Sequence, residues 1–109
     1  NYMRRMERVN ELIRRELGAI ISREIDVTGG IVTFTRVELS DDLNYADIYF
    51  SVIPDEKSGD VFAEINKNIF DIQQGLNKRL RMRPVPKVRF YIDEEEEEAR
   101  KIDELLKRV

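Results

Sequence analysis

The sequence predicts one α+β domain in which a three-stranded sheet is covered on one face by helices. Three stretches repeat apolar residues every three or four positions, as the buried stripe of a helix does. Three shorter stretches have the alternation, or the β-branched and aromatic content, of strands. The chain of 109 residues is long enough for one domain with a modest core.

The first half of the chain predicts a helix followed by a hairpin. The helix spans residues 2–24, and Gly29-Gly30 marks the break after it. Residues 31–39 are rich in β-branched and aromatic side chains, and residues 45–53 alternate apolar with polar side chains. Because the residues between these strands, 40–44, are typical of turns, we expect an antiparallel hairpin.

The second half of the chain predicts a long helical region and a third strand. Ser58 is the predicted N-cap of the helical region, whose apolar stripe covers residues 61–80. Pro84 and Pro86 end this region, because proline cannot continue a helix and holds the residue before it extended. Apolar side chains then alternate with charged and aromatic ones over residues 87–92, as in a strand.

Six consecutive acidic residues, 93–98, open a final helical stripe. Asp93 is the predicted N-cap of this helix, and the glutamates after it face the positive end of the helix dipole. Consecutive carboxylates around a helix do not converge on one metal ion, so we predict a solvated helix start. Four pairs have the favourable i,i+4 spacing: Glu96 with Arg100, Glu97 with Lys101, Asp103 with Lys107 and Glu104 with Arg108.

Composition excludes several classes of function. The chain has no cysteine and no histidine, which rules out disulfides, Cys/His zinc sites and catalytic triads built on either residue. No apolar stretch approaches the roughly 18 residues of a membrane span, and no secretory signal opens the chain. We therefore expect a cytoplasmic protein with no catalytic residue, no cofactor, no metal and no membrane partner.

Positive charge is concentrated just before the acidic run. Six of the twelve residues from 78 to 89 are Lys or Arg, although the whole chain has a net charge of −3. Cations at a helix C-terminus complement the dipole, which explains the first of these charges. The dipole cannot explain Lys87 and Arg89, which fall in the predicted strand. A surface built from a helix end and a neighbouring strand would suit a phosphate backbone.

Two stretches resemble the ribosome-binding factor A family of bacterial small-subunit maturation factors. The first stretch has the family's Ser-x-Asp-Leu turn and Ala-x-x-Tyr strand: Ser40, Asp42, Leu43, Ala46 and Tyr49. The second has its Arg-Leu-x-x-Arg-x-x-Pro segment and the strand beyond: Arg79, Leu80, Arg83, Pro86, Phe90 and Asp93. The opening MERVNELIRREL is also similar to the family's first helix. The resemblance covers residues 3–93.

The resemblance implies a KH-like domain of the type II-like kind over residues 1–93, followed by an acidic C-terminal helical extension over 94–109. The order of elements would be helix-strand-strand-helix-helix-strand. The family has an Ala-x-Gly kink between its two middle helices, which falls here on Asn68, Ile69 and Phe70. Neither small residue is present, and the unbroken apolar stripe suits one straight helix. Phe70 stands off that stripe and is expected to pack under a neighbouring element rather than to stack on RNA.

The resemblance further implies a ribosome assembly factor that is not an enzyme. Such a protein binds the immature small ribosomal subunit and its rRNA, assists late maturation and rRNA end processing, and is linked to cold adaptation. The expected partners are small-subunit rRNA, the subunit precursor and assembly GTPases, and the expected state is a monomer. The residues predicted to contact RNA lie on the first helix and in the 78–89 segment: Arg4, Arg8, Arg15, Lys78, Arg79, Arg81, Arg83, Lys87 and Arg89.

Two other functions remain open at this point. An α+β protein-interaction module would use its charges only for solubility, and its binding would depend weakly on salt, whereas phosphate binding depends steeply on it. A metal nuclease would need Asp41, Asp42 and Asp47, but two of these are adjacent in a turn and spacing fixes no partner carboxylate. The nuclease is therefore the weaker alternative.

Overall fold

The computed structural model describes residues 2–27 and 29–108. Residues 1 and 28 of the predicted KH-like domain and residue 109 of the predicted C-terminal extension lie outside the described residues. The described part has a three-stranded sheet and four helices, which confirms the predicted α+β fold class. The elements in chain order are α1 (Tyr2–Glu24), β1 (Ile31–Leu39), β2 (Tyr45–Ile53), α2 (Ser58–Lys67), α3 (Ile69–Arg79), β3 (Lys87–Ile92) and α4 (Glu94–Lys107). A short 3₁₀ turn over Asp55–Lys57 precedes α2.

The sheet has the order β1-β2-β3. β1 and β2 form the predicted antiparallel hairpin, and β2 pairs with β3 in parallel. Helices α1, α2 and α3 pack on one face of the sheet, here called the inner face. The buried side chains of the central strand on this face are Ala46, Ile48, Phe50 and Val52. No helix in the described residues is long and apolar enough to cross a membrane.

A β-bulge in β1 keeps its apolar side chains on the inner face. Val32 and Phe34 pair with inner residues of β2, and so do Val37 and Leu39, although the step from Phe34 to Val37 is three residues rather than two. Thr35 is the extra residue that absorbs this odd step, since the register shifts between Phe34 and Arg36. Without the bulge, the apolar side chains in the second half of β1 would point to the opposite face of the sheet.

The middle helical region is divided into α2 and α3, so the alternative of one straight helix is wrong. Asn68 lies between the two helices with φ −105° and ψ 16°, outside helical geometry. Its backbone N–H and its side-chain amide both donate to the carbonyl of Glu64, at 3.1 and 2.8 Å. Only one residue leaves the helical path, and the stripes of α2 and α3 both face the core. The division is therefore almost invisible in the apolar periodicity.

The first half of α4 is attached to the rest of the domain by polar contacts that the sequence did not reveal. Arg100 bonds to Asp55 at 2.6 Å, and to the Ser51 hydroxyl and the Val52 carbonyl at 3.2 Å each. The predicted pair of Arg100 with Glu96 is therefore wrong. Ser58 is the first residue of α2 rather than its N-cap, and its hydroxyl donates to Glu97 of α4.

Asp93 caps α4, as predicted. Its Oδ1 accepts the backbone N–H of Glu96 at 3.1 Å. Its Oδ2 accepts the hydroxyl of Thr35, the bulge residue, at 2.6 Å. The hydrogen bond from Thr35, with smaller contributions from the Glu96 N–H and the charge of Arg36, lowers the pKa of Asp93 below its ordinary value. The bulge in β1 and the start of α4 are thus tied together through one carboxylate.

This lowered pKa predicts a pH-dependent contribution to stability. A carboxyl whose pKa is lower in the folded state stabilises the fold above the unfolded pKa of about 3.9, and the contribution disappears as pH falls through the folded pKa. We therefore expect Asp93→Asn to be less stable than the parent chain at pH 7, with the difference shrinking as pH falls below about 4. Asparagine also caps helices well, so the variant removes mainly the charge.

Urea unfolding of both chains at a series of pH values measures this difference. Thr35→Val is the matched control, because it removes the main cause of the lowered pKa while Asp93 keeps its charge. It should reduce the pH dependence relative to the parent chain. A stability difference between Asp93→Asn and the parent chain that stays constant from pH 7 to pH 3 would contradict the prediction.

Candidate nucleic-acid interface

The packing of α1 against α3 brings two of the predicted arginines near each other. Arg79 at the end of α3 forms an ion pair with Glu16 of α1 at 3.0 Å, and Arg15 approaches the same carboxylate at 3.8 Å. The helices approach closely at Gly75, where an added Cβ would lie 3.3 Å from the Ile20 side chain. Glu16 therefore sits between two cations and joins the first helix to the basic segment.

The other two predicted arginines of α1, Arg4 and Arg8, lie closer to the N-terminus of the helix than Arg15 does. Arg4, Arg8 and Arg15 line one shallow groove on the α1 surface together with Glu7, Glu11 and Leu12. Arg8 is about 10 Å from Arg15 along the axis and Arg4 about 16 Å, at the usual helical rise. The structure thus brings Arg15 close to α3 but leaves Arg4 at the far end of α1. Two acidic residues interrupt this basic groove.

The basic segment continues from the end of α3 through a loop. α3 ends at Arg79, and Leu80 is already extended, so Arg81 and Arg83 lie in the loop rather than at the helix end. Both are exposed. Arg83 donates to the carbonyls of Leu80 and Met82, at 2.9 and 2.6 Å. Arg83 therefore supports the loop that it belongs to.

Lys87 and Arg89 extend the positive charge onto the face of the sheet opposite α1–α3, here called the outer face. Both are exposed, whereas Val88 and Phe90 between and beside them are buried, as the alternation predicts. Arg89 donates to the carboxylate of Asp47 at 2.7 Å and lies over the ring of Tyr45 at 4.6 Å. The guanidinium is held in place by a carboxylate on one side and a ring on the other.

Two of the three carboxylates of the nuclease alternative, Asp42 and Asp47, have structural roles. Asp42 accepts hydrogen bonds from the Ser40 hydroxyl at 2.8 Å and from the Asn44 backbone N–H at 3.0 Å. The Asn44 N–H is the main cause that lowers the pKa of Asp42. Asp47 is paired with Arg89. Across residues 2–27 and 29–108, no three acidic side chains are grouped so that they could hold a metal ion.

Phe70 lies in the open at the junction of α2 and α3. Its exposed fraction is 70%, so the expectation that it packs under a neighbouring element is wrong. The neighbouring Ile69 packs against the core. A residue near the start of a helix that follows a break can point away from the core without disturbing the stripe. The position of Phe70 off the apolar stripe was therefore the signal of its exposure.

An aromatic cluster on the outer face was not predicted. Tyr49 of β2 and Tyr91 of β3 are register partners whose ring centroids are 5.3 Å apart, and Arg36 of β1 lies 3.9 Å over the Tyr49 ring. The signal was present in the alternation, which puts Tyr45 and Tyr49 on the polar side of β2. Arg36 could not be placed because its side depends on the bulge at Thr35.

The chain is similar to known proteins of one family. The family model for ribosome-binding factor A matches residues 5–106. Ribosome-binding factor A of Trichlorobacter lovleyi is 39% identical over 110 residues, covering 97% of this chain and 88% of that protein. The protein of that name from Chlorobaculum tepidum is 35% identical over 108 residues, covering 96% and 90%.

Solved structures support the fold. The crystal structure of ribosome-binding factor A from Thermus thermophilus matches with a TM-score of 0.67, covering 79% of this chain and 93% of that chain at 20% identity. A solution NMR structure of a Thermotoga maritima protein matches with a TM-score of 0.55 at 30% identity, covering 78% and 79%. The fold of the described residues is KH-like. From its matching family model and its relatives, the chain belongs to the ribosome-binding factor A family.

Proposed function

We propose that this protein is a ribosome assembly factor that binds the immature small ribosomal subunit and its rRNA. In this role it assists late maturation of the subunit and processing of the rRNA ends. It performs no chemical step, and binding to a rRNA conformation is its whole contribution. It acts as a cytoplasmic monomer alongside assembly GTPases, and its role extends to cold adaptation.

The observation that carries this proposal is the continuity of exposed cations from a helix end across a loop onto a strand. The cations in chain order are Lys78, Arg79, Arg81, Arg83, Lys87 and Arg89. The dipole of α3 accounts for the first two alone. Lysine and arginine side chains spread over three elements of different direction suit an extended polyanion better than a single small anion.

The first helix adds Arg4, Arg8 and Arg15 to this proposed RNA surface. Arg15 is the best placed of the three, because Glu16 beside it pairs with Arg79. The kink residues Asn68, Ile69 and Phe70 are a further proposed contact, for which the exposure of the Phe70 ring is the support. Arginines are favoured for such contacts because a guanidinium can meet two phosphate oxygens at once.

Cosedimentation with immature and mature small subunits at increasing salt tests the proposal. We expect preferential binding to immature subunits and a steep fall of affinity with salt, because each neutralised phosphate contributes about one unit to the log–log slope. The alternative is a protein-interaction module, which the exposed Ile102, Leu105 and Leu106 of α4 would favour. Binding that is insensitive to salt would support that module and contradict the proposal.

A further inference from the structure

The outer face of the sheet presents three tyrosines and two arginines that no helix of the inner layer covers. Tyr45 and Tyr91 are 43% and 39% exposed. The side chains of Arg36 and Arg89 are 42% and 50% exposed. Cross-strand pairing explains why these groups touch one another. Sheet stability alone does not require that their flat surfaces stay open to solvent.

The register assembles these groups into two stacking positions. At one, Arg89 of β3 lies over the ring of Tyr45 of β2. At the other, Tyr91 and Arg36 flank Tyr49. The two tyrosines of β2 are four residues apart on one face, which corresponds to about 13 Å along the strand. Both positions therefore expose planar groups at a fixed separation.

Carboxylates hold the guanidinium groups in these positions. Asp47 bonds to Arg89 at 2.7 Å, and Glu38 bonds to Arg36 at 3.1 Å. Each guanidinium is thereby fixed over its ring before any ligand arrives, so little conformational freedom is lost on binding. Lys87, the register partner of Tyr45, adds a cation beside the first position.

We propose that this aromatic outer face binds unpaired bases of single-stranded RNA. Bases of any sequence stack on tyrosine rings and on guanidinium planes, and sheets of other RNA-binding folds hold about two or three bases in this way. Lys87 and Arg89 belong both to this face and to the proposed RNA surface, so a strand whose phosphates follow the cations can lay its bases on the exposed ring and guanidinium planes. The inference rests on the proposed function and specifies that the rRNA segment bound is unpaired.

The tyrosines provide their own reporter. The chain has four tyrosines and no tryptophan, so in a Tyr2→Phe background all tyrosine emission comes from Tyr45, Tyr49 and Tyr91. Titration with an unstructured oligoribonucleotide of about eight nucleotides should quench this emission as bases stack. A duplex RNA with the same number of phosphates should bind without quenching, because its bases are not available for stacking.

Variants separate ring stacking from charge. Tyr45→Thr with Tyr91→Thr keeps strand-forming residues and leaves every charge in place. We expect it to weaken single-strand binding about five- to 100-fold while the salt slope is unchanged. The matched variant with phenylalanine at both positions keeps the rings and should retain binding. Thermal unfolding of both variants checks that each is folded.

Two kinds of result would overturn the inference. One is binding of the single strand without quenching, or with equal affinity by the threonine variant. The other is loss of precursor-subunit binding by the threonine variant when the parent chain shows no interaction with the single strand, which would mean that the face takes a protein. Failure of the proposed function would be recognised separately, as absence of salt-sensitive binding of the parent chain to precursor subunits.

Discussion

A chain in which Arg81, Arg83 and Arg89 are replaced by alanine is expected to lose most of its affinity for immature small subunits while it still unfolds cooperatively. All three side chains are exposed, and none belongs to the core. Hydrogen bonds to charged groups are strong enough that the combined loss should be on the order of 100-fold or more. The log-affinity against log-salt slope should become shallower by about two to three units.

The three arginines are not equivalent. Within the described residues Arg81 makes no hydrogen bond or ion pair, so its replacement should remove only the proposed contact with RNA. Arg83 also supports the loop through the Leu80 and Met82 carbonyls. Replacing Arg89 leaves the Asp47 carboxylate unpaired beside the proposed RNA surface, which should add repulsion to the lost attraction. Adding Asp47→Asn to the triple variant should therefore restore part of the affinity.

A matched control is available in α4 and its C-cap residue. Lys101, Lys107 and Arg108 are also exposed. Their replacement by alanine changes the net charge by the same amount, but outside the 78–89 segment. We expect this control to bind immature subunits like the parent chain. Equal loss of affinity in both triple variants would show that net charge alone governs binding and that the 78–89 segment is not a specific surface.

Most helix and strand boundaries could be predicted because the apolar residues of each element follow a regular pattern, including those of α4, which are exposed. The 3.6-residue periodicity predicts α1 and α4, the two-residue alternation predicts β2 and β3, and the β-branched and aromatic content predicts β1. Two features were not predicted, because each depends on a single residue. Thr35 shifts the phase of β1, and Asn68 separates α2 from α3 without moving the apolar stripe.

The positions of the cations in the candidate interface could be predicted in part for the same reason. Which cations lie on the outer side of β3 follows from alternation, and the structure places Lys87 and Arg89 there. Contacts between residues distant in sequence could not be predicted, because many carboxylates are available to each cation. The i,i+4 spacing predicted a pair of Arg100 with Glu96, but in the folded chain Arg100 lies 2.6 Å from the carboxylate of Asp55. A local pair on a solvated helix is too weak to compete with that partly enclosed site.

The same chemical change, Phe to Ala, is expected to cost much stability at position 50 and very little at position 70, because Phe50 is buried and Phe70 is exposed. Phe50 lies in the central strand with no exposed surface, opposite Phe34 and 6.3 Å from the Phe62 ring of α2. Its truncation leaves a cavity between the sheet and the helices, with an expected loss of about 3–5 kcal/mol in the free energy of unfolding. Domains of this kind are stable by only about 5–15 kcal/mol, so this variant should be partly unfolded under mild denaturing conditions.

Phe70 is 70% exposed, so truncation there should change the free energy of unfolding by no more than about 0.5 kcal/mol. Urea unfolding of both variants, followed by circular dichroism, measures the contrast. A large loss of stability in Phe70→Ala would mean that the ring packs against the body of the protein in solution. With stability unchanged, any weakening of subunit binding by Phe70→Ala has a direct interpretation. The ring at the α2–α3 junction would then be an RNA contact, because no structural defect could account for the lost affinity.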